Sequence, residues 1–325
     1  MKRRDFLGAF AGLALWPSFA KEERSKPVIG FLSSRTPDDS ARIVAAFRKG
    51  LTEGGYIEDK DATIVYRWAE GDYERLPALA DEIVRLNPSV LIAAGGEPSA
   101  LAAKAASTDI PTVFSVGGDP VKIGLVKSLN RPGSNMTGVS LLATELESKR
   151  LGILHELLPR ARILSVLIDR DFQESETQAL EVAQASEEIE QPIEIVYATN
   201  DNELAIAFER LRAVGADGLL VCASPFFDTR RAHLVAFETQ QRIPAIYQFR
   251  EYAAQGGLMS YGISPPEGYR QIGVYAGRIL KGTSPSELPV VQPTIFEFVI
   301  NAKAAGAMGI DIPASLLARA DEVIQ

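Results

Sequence analysis

From Val28 onward the chain alternates short apolar runs with longer amphipathic ones almost without a break, and this alternation constrains the fold more than any motif does. Val90-Leu91-Ile92-Ala93-Ala94, closed by Gly95-Gly96, shows why. Five apolar residues in a row leave no polar face for solvent, so such a strand must be covered on both sides, as in a parallel sheet between helices. Strands are expected at residues 28–32, 63–68, 90–94 and 111–116, separated by helices at 39–53, around Leu76, Leu79, Ile83 and Leu86, and at 98–107. The pattern then restarts with helices at 145–158, 174–190, 202–214 and 230–241 and strands at 163–168, 193–197, 218–222 and 245–247. The expected fold is α/β: two doubly wound parallel-sheet lobes joined by a multi-strand hinge.

A faint internal echo supports two lobes on one plan. Leu91-Ile92-Ala93-Ala94, Pro98, a helix and Ile110-Pro111-Thr112-Val113-Phe114 parallel Leu220-Val221-Cys222-Ala223, Pro225, a helix and Ile243-Pro244-Ala245-Ile246-Tyr247. Past Tyr247 a strand at 257–261, a helix at 267–281, a Pro- and Ser-rich linker at 282–293 and a strand at 295–301 read as a return to the first lobe and a final crossing. The first lobe is therefore expected to hold 27–138 plus 256–284, and the second 139–255 plus 290–325.

Residues 1–20 read as an export signal. Lys2, Arg3 and Arg4 form a basic start, the run from Phe6 to Trp16 is apolar, and Pro17-Ser18-Phe19-Ala20 is a plausible cleavage site before Lys21. The apolar run is shorter than the ~20 residues that span a bilayer. Arg3-Arg4-Asp5-Phe6-Leu7 resembles the twin-arginine motif, with Lys2 where that motif usually has Ser or Thr; a Sec signal holding two arginines is the other reading. Either route predicts a periplasmic protein. Cleavage takes away three positive charges and one negative, moving the formal charge from −8 to about −10, which disfavours nucleic acid and anionic membranes as partners. No Cys lies near the cleavage site to carry a lipid anchor, and the lone Cys222 sits in an apolar strand as a small core residue.

The stretch from Ile110 to Gly138 concentrates the candidate chemistry. A buried strand breaks at Gly117-Gly118, Asp119-Pro120 reads as an N-cap with proline at the first position of a short helix, and Arg131 to Gly138 reads as the first crossing between lobes. In open α/β folds ligands bind at the carboxyl ends of the strands. Asp119 there could neutralise an ammonium group or serve as a cap alone, and both can hold. Ser33 and Ser34 follow the first strand, where hydroxyls and amides suit a carboxylate. Gly96, Glu97 and Ser99 occupy the same edge. In the second lobe Asp169, Ser224 and Gln248 follow successive strands and are expected to face the cleft, although turn and capping roles suit them equally. Tyr247 and Tyr261 read either as stacking partners for an aromatic ligand or as core, and Trp68 reads as core. His155 and His233 lie on helices without acidic or Cys partners at metal spacing, so no metal or other cofactor is expected.

Several runs resemble the substrate-binding proteins of ABC transporters related to the tryptophan and tyrosine binders. They are Tyr66-Arg67-Trp68-Ala69-Glu70-Gly71, Gly117-Gly118-Asp119-Pro120-Val121 with Gly124-Leu125-Val126, Arg131-Pro132-Gly133 with Asn135-Met136-Thr137-Gly138-Val139, Ser260-Tyr261-Gly262, and Phe296-Glu297-Phe298-Val299-Ile300-Asn301. The resemblance spans the mature chain and implies a type I periplasmic-binding fold. It also implies capture of a small solute, an amino acid or aromatic carboxylate, by a monomer that delivers it to an inner-membrane ABC permease. Two departures stand out. Ser264 occupies a place where such proteins often carry an acid, and Ala302, Ala305 and Met308 replace the usual Leu, Thr and Leu. An exported α/β enzyme or a ligand-sensing partner of a membrane receptor are the rival readings. The chain has no Gly-x-Ser-x-Gly elbow, no His-Glu-x-x-His and no Rossmann glycine fingerprint, so it is not expected to be an enzyme. A DNA-binding regulator would need a helix-turn-helix where the export signal stands.

Overall fold

The computed structural model describes residues 26–325, so the export-signal reading lies outside the described residues. The first sheet is parallel, in the order β2 (Thr63–Trp68), β1 (Val28–Ser33), β3 (Val90–Ala94), β4 (Thr112–Val116), β5 (Met136–Ser140). β3 and β4 are buried along their whole length, as their unbroken apolar runs require. Helices α1 (Ala41–Glu53), α2 (Leu76–Arg85) and α3 (Glu97–Ala106) cover its faces. In α2 the buried residues are Leu76, Ala80 and Ile83, while Leu86 lies past its end, exposed.

The second sheet runs β7 (Ile193–Tyr197), β6 (Leu164–Ile168), β8 (Gly218–Val221), β9 (Ala245–Tyr247), β10 (Met259–Ile263), β11 (Phe296–Asn301), β12 (Glu322–Ile324). The β10–β11 pair is antiparallel and its neighbours are parallel. Its helices are α4 (Glu147–Leu157), α5 (Ser175–Glu188), α6 (Asp201–Val214), α7 (Pro225–Thr229), α8 (Arg231–Gln241), α9 (Arg250–Ala254), α11 (Ala302–Met308) and α12 (Ala314–Arg319). The first five strands of each sheet follow one order, second-first-third-fourth-fifth. The sequence echo falls on β3-α3-β4 and β8-α7-α8-β9, and Phe114 and Tyr247 are the third residues of equivalent strands.

Three features differ from the sequence expectation. No helix follows Asp119-Pro120. The Asp119 carboxylate accepts from the Val121 and Lys122 amides (2.8 and 3.4 Å), but Gly124 at φ +76° ends the turn, and Leu125 and Val126 fold into the first core. Arg131 to Gly138 is not a crossing, because β5 stays in the first sheet beside β4 and the chain leaves only after Ser140. The strand expected to return to the first lobe is β10, which pairs with β9 and β11 in the second sheet; the return comes one residue later, with α10 (Pro265–Leu280).

The seating of α10 explains why the chain returns there. α10 lies against α1, and Ile272, Tyr275, Ala276 and Ile279 share a core with Phe47 and Leu51. The helices approach through glycine: a Cβ on Gly273 would run into the Phe47 carbonyl oxygen, and one on Gly277 would meet the backbone of Gly54. Val291 then bridges to Val139 of β5 before β11 rejoins the second sheet, so three linkers pass between the lobes side by side.

Gly273→Ala is therefore expected to cost about 1–3 kcal/mol, because backbone cannot yield to the added methyl as a side chain could. Gly152→Ala in α4, where a Cβ meets nothing within 4 Å, is expected to gain about 0.5–1 kcal/mol by helix propensity. Urea denaturation midpoints of the two variants should move in opposite directions.

Candidate functional site

The carboxyl ends of the two sheets face each other across a narrow cavity of ≈40 Å³. The first lobe supplies Arg35 from the loop after β1, Gly95 to Glu97 after β3, and Ser115 to Gly117 at the end of β4. Leu141, Ala143 and Thr144 of the first linker form its base, with Pro265 and Tyr269 of α10. The second lobe supplies Phe172 after β6, Ala223 to Pro225 and Asp228 after β8, and Gln248 and Phe249 after β9. Polar and apolar groups thus alternate around one space, the wall composition of a small-molecule site.

Charge holds the lobes together over this space. Arg35 forms an ion pair with Asp228, both buried, and its guanidinium lies 5.5 Å from the centre of the Phe249 ring. Asp228 also accepts from the Gln248 side-chain amide (2.5 Å) and the Tyr252 hydroxyl (3.2 Å), which fix its orientation. Around the rim, Asp39 pairs with Arg231 at 2.6 Å, and the Tyr73 hydroxyl bonds Asp169 (3.1 Å) while accepting from the Phe226 amide (2.9 Å). The Arg35–Asp228, Arg35–Phe249, Asp39–Arg231 and Tyr73 contacts each join one lobe to the other.

Glu97 is charged differently. It opens α3, is 1% exposed, and one carboxylate oxygen accepts from the amides of Gly117 (2.7 Å) and Gly118 (2.6 Å). Burial outweighs these amides and pushes its carboxyl up to about 7. Gly96, at φ +112°, makes the turn that carries Glu97 inward, a conformation costly for any residue with a Cβ. Behind the wall, Glu147 and Arg150 pair at 2.9 Å with both side chains fully buried. Glu147 accepts from the Ala223 amide (2.8 Å) and Arg150 donates to the Tyr261 carbonyl (2.8 Å), so the start of α4, the cavity wall and the middle of β10 are tied together.

Of the residues singled out from sequence, Gly96, Glu97, Gly117, Ser224 and Gln248 line the cavity. Ser33 and Ser34 are buried beneath it: Ser33 Oγ accepts from the Arg35 amide (3.1 Å) and Ser34 Oγ donates to the Gly95 carbonyl (2.7 Å), bracing the two loops. Ser99 is buried on α3, and Asp119 caps its turn; neither is in the wall. Asp169 faces Tyr73 outside the wall, and burial raises its carboxyl to about 6. Tyr247 stacks on Tyr252 (4.3 Å) and its hydroxyl donates to Glu238 (2.8 Å) in the core; side chains alternate along a strand, so the next residue, Gln248, is the one in the wall. Tyr261 stacks on Phe296 and Trp68 on Tyr66, both away from the cavity. His155 lies 3.0 Å from Gln191 and His233 is exposed on α8. Sequence reasoning missed Arg35, Thr144, Phe172, Asp228, Phe249 and Tyr269. Arg35 adjoins the flagged serines, but its partner lies 193 residues away and no spacing links them.

Removing the Asp228 carboxylate leaves a buried guanidinium without its counter-charge, which costs about 3–5 kcal/mol if the lobes stay together. Separating the lobes hydrates Arg35 instead. Asp228→Ala is expected to raise the radius of gyration of the ligand-free protein in solution scattering while circular dichroism stays unchanged. A second expectation concerns pH. Burial raises the Glu238 carboxyl to about 8, against 4.5 for an ordinary glutamate. The folded state keeps a proton that the unfolded chain loses from about pH 4.5, so this stabilisation is complete below that pH and fades as pH rises toward 8. Urea midpoints measured from pH 5 to 8 should fall less steeply for Glu238→Gln than for the native chain.

Comparison with known proteins adds a family and its relatives. The sequence model for the family described as ABC transporter substrate binding protein matches residues 29–324. A tyrosine-binding protein of Clostridioides difficile (strain R20291) is 27% identical over 273 residues, covering 81% of this chain and 75% of the relative. Among solved structures, a conserved domain protein of Vibrio cholerae O1 biovar eltor superposes with a TM-score of 0.82 at 25% identity, over 92% of this chain and all of that one. An ABC domain from Streptococcus pneumonia in complex with L-Trp superposes with a TM-score of 0.81 at 26% identity, with the same coverage.

Proposed function

The chain belongs to the family of ABC transporter substrate-binding proteins, with the type I periplasmic-binding fold, and on that premise we propose that it is an exported, non-catalytic receptor for an amino acid or aromatic carboxylate. The observation that carries this reading is the cavity between the lobes. Its wall takes residues from the carboxyl ends of both sheets, so a solute bound there touches both lobes and favours the state in which they are together.

The composition of the wall supports the solute class. Arg35, Thr144, Ser224 and Gln248 offer polar contacts, while Phe172 and Phe249 offer aromatic faces. The chemistry of this lining suits a molecule with a charged end and a flat apolar body, for which the lobes must part. The relatives that bind tyrosine and L-Trp point to the same class. The reading includes delivery to an inner-membrane ABC permease and a periplasmic location, which the family and the export-signal pattern of residues 1–20 support.

The test is mass spectrometry of any solute retained through purification, followed by thermal shifts with L-tyrosine, L-tryptophan and 3-(4-hydroxyphenyl)propionate. A ligand at a hundred times its Kd stabilises the native state by about 2.7 kcal/mol, a shift of a few degrees for a chain of this size. Saturation is also expected to lower the radius of gyration. A full panel of amino acids and aromatic carboxylates that moves neither observable would overturn the proposal.

A further inference from the structure

We propose that Glu97 is the group that selects a solute carrying a protonated amine, and that it does so by receiving the amine as the missing counter-charge of a buried carboxylate. The inference rests on the receptor reading above and gives its site a chemical sign.

The surroundings of Glu97 supply no cation. From β4 and the turn after it come the Gly117 and Gly118 amides, both on one oxygen. From the second lobe comes Glu174, a half-buried acid ahead of α5 whose carboxylate lies against Gly118, so a second negative charge approaches the same turn. Asp119 and Glu145 add negative charge around Glu174, and Lys122 faces Glu174 from the rim. Across the cavity, Arg35 is the sole cation among the wall residues, and it is committed to Asp228. A buried carboxylate that keeps its charge needs a partner. In this cavity the partner must come from the solute.

Two further atoms in the wall await polar partners. Gln248 Oε1 and Arg35 Nε belong to residues more than nine-tenths buried, and neither has a hydrogen-bond partner among the described residues. Gln248 Oε1 accepts only, which suits a second N–H of an ammonium group; Arg35 Nε donates only, which suits an anionic end. Together with Glu97 they match a zwitterion. A molecule with a carboxylate and no amine would leave Glu97 with its need unmet.

The carboxyl of free Glu97, raised to about 7, gives the arrangement a pH signature. Below that value the solute's ammonium must displace a proton from Glu97. Affinity for an amine-bearing probe should then rise with pH from about 5.5 to 7, approaching tenfold per unit where one proton leaves per solute bound.

The experiment is calorimetric titration of the native chain and Glu97→Gln with L-tyrosine, L-tryptophan, tyramine and 3-(4-hydroxyphenyl)propionate at several pH values, with urea denaturation to confirm that the variant is folded. Expected is binding of the native chain to the amines, at least tenfold weaker binding of 3-(4-hydroxyphenyl)propionate than of L-tyrosine, and affinity that rises with pH. Glu97→Gln should weaken L-tyrosine by about ten- to hundredfold and flatten its pH dependence, because a charge-assisted contact is replaced by a neutral one. Should the deaminated analogue bind the native chain as tightly as L-tyrosine, or the variant keep native affinity and slope, the proposal fails while the receptor reading stands. Failure of every probe on the native chain would overturn the Glu97 proposal, and the receptor reading falls with it only if the full panel of amino acids and aromatic carboxylates fails as well.

Discussion

The structure depends on the seating of α10 against α1. A helix that follows a strand of the second sheet is held on the first lobe because glycines on both helices let their backbones approach more closely than side chains would allow. That contact fixes where the chain crosses. It also brings α10 to the base of the cavity, where the Tyr269 hydroxyl accepts from the Gly95 amide at 2.9 Å and Pro265 joins the wall. The first linker runs beside it, and the third returns along β5 through the Val139–Val291 bridge. Three connections therefore join the lobes, and in two-lobed folds such connections are where a hinge bends.

Electrostatics sets a paired cation on one side of the cavity against an acid without a cation on the other. Arg35 and Asp228 meet from opposite lobes with Gln248 and Tyr252 orienting the carboxylate, so mutual contact offsets part of their desolvation, although burial still holds the Asp228 carboxyl above its ordinary range. Glu97 has amides on one oxygen and no cation, and a second acid near the same turn. The Glu147–Arg150 pair of α4, behind the wall, ties β10 to Ala223, which belongs to the wall itself.

The sequence by itself determined the α/β class, the two-lobed plan and most element positions, because apolar runs such as Val90 to Ala94 can be buried only in a covered parallel sheet. It also located the edge where the cavity lies, since strand ends are marked by Gly95-Gly96 and Gly117-Gly118. Local signals misled where a neighbour intervened: Asp119-Pro120 caps a turn that Gly124 stops, and β10 stays with β9 although its sequence reads as the start of a return. Only the tertiary structure decided which strand-end residues face the cavity, because one residue of register exchanges Tyr247 for Gln248. It alone joined Arg35 to Asp228, since charges 193 residues apart share no periodicity and meet only when two independently wound sheets are brought edge to edge.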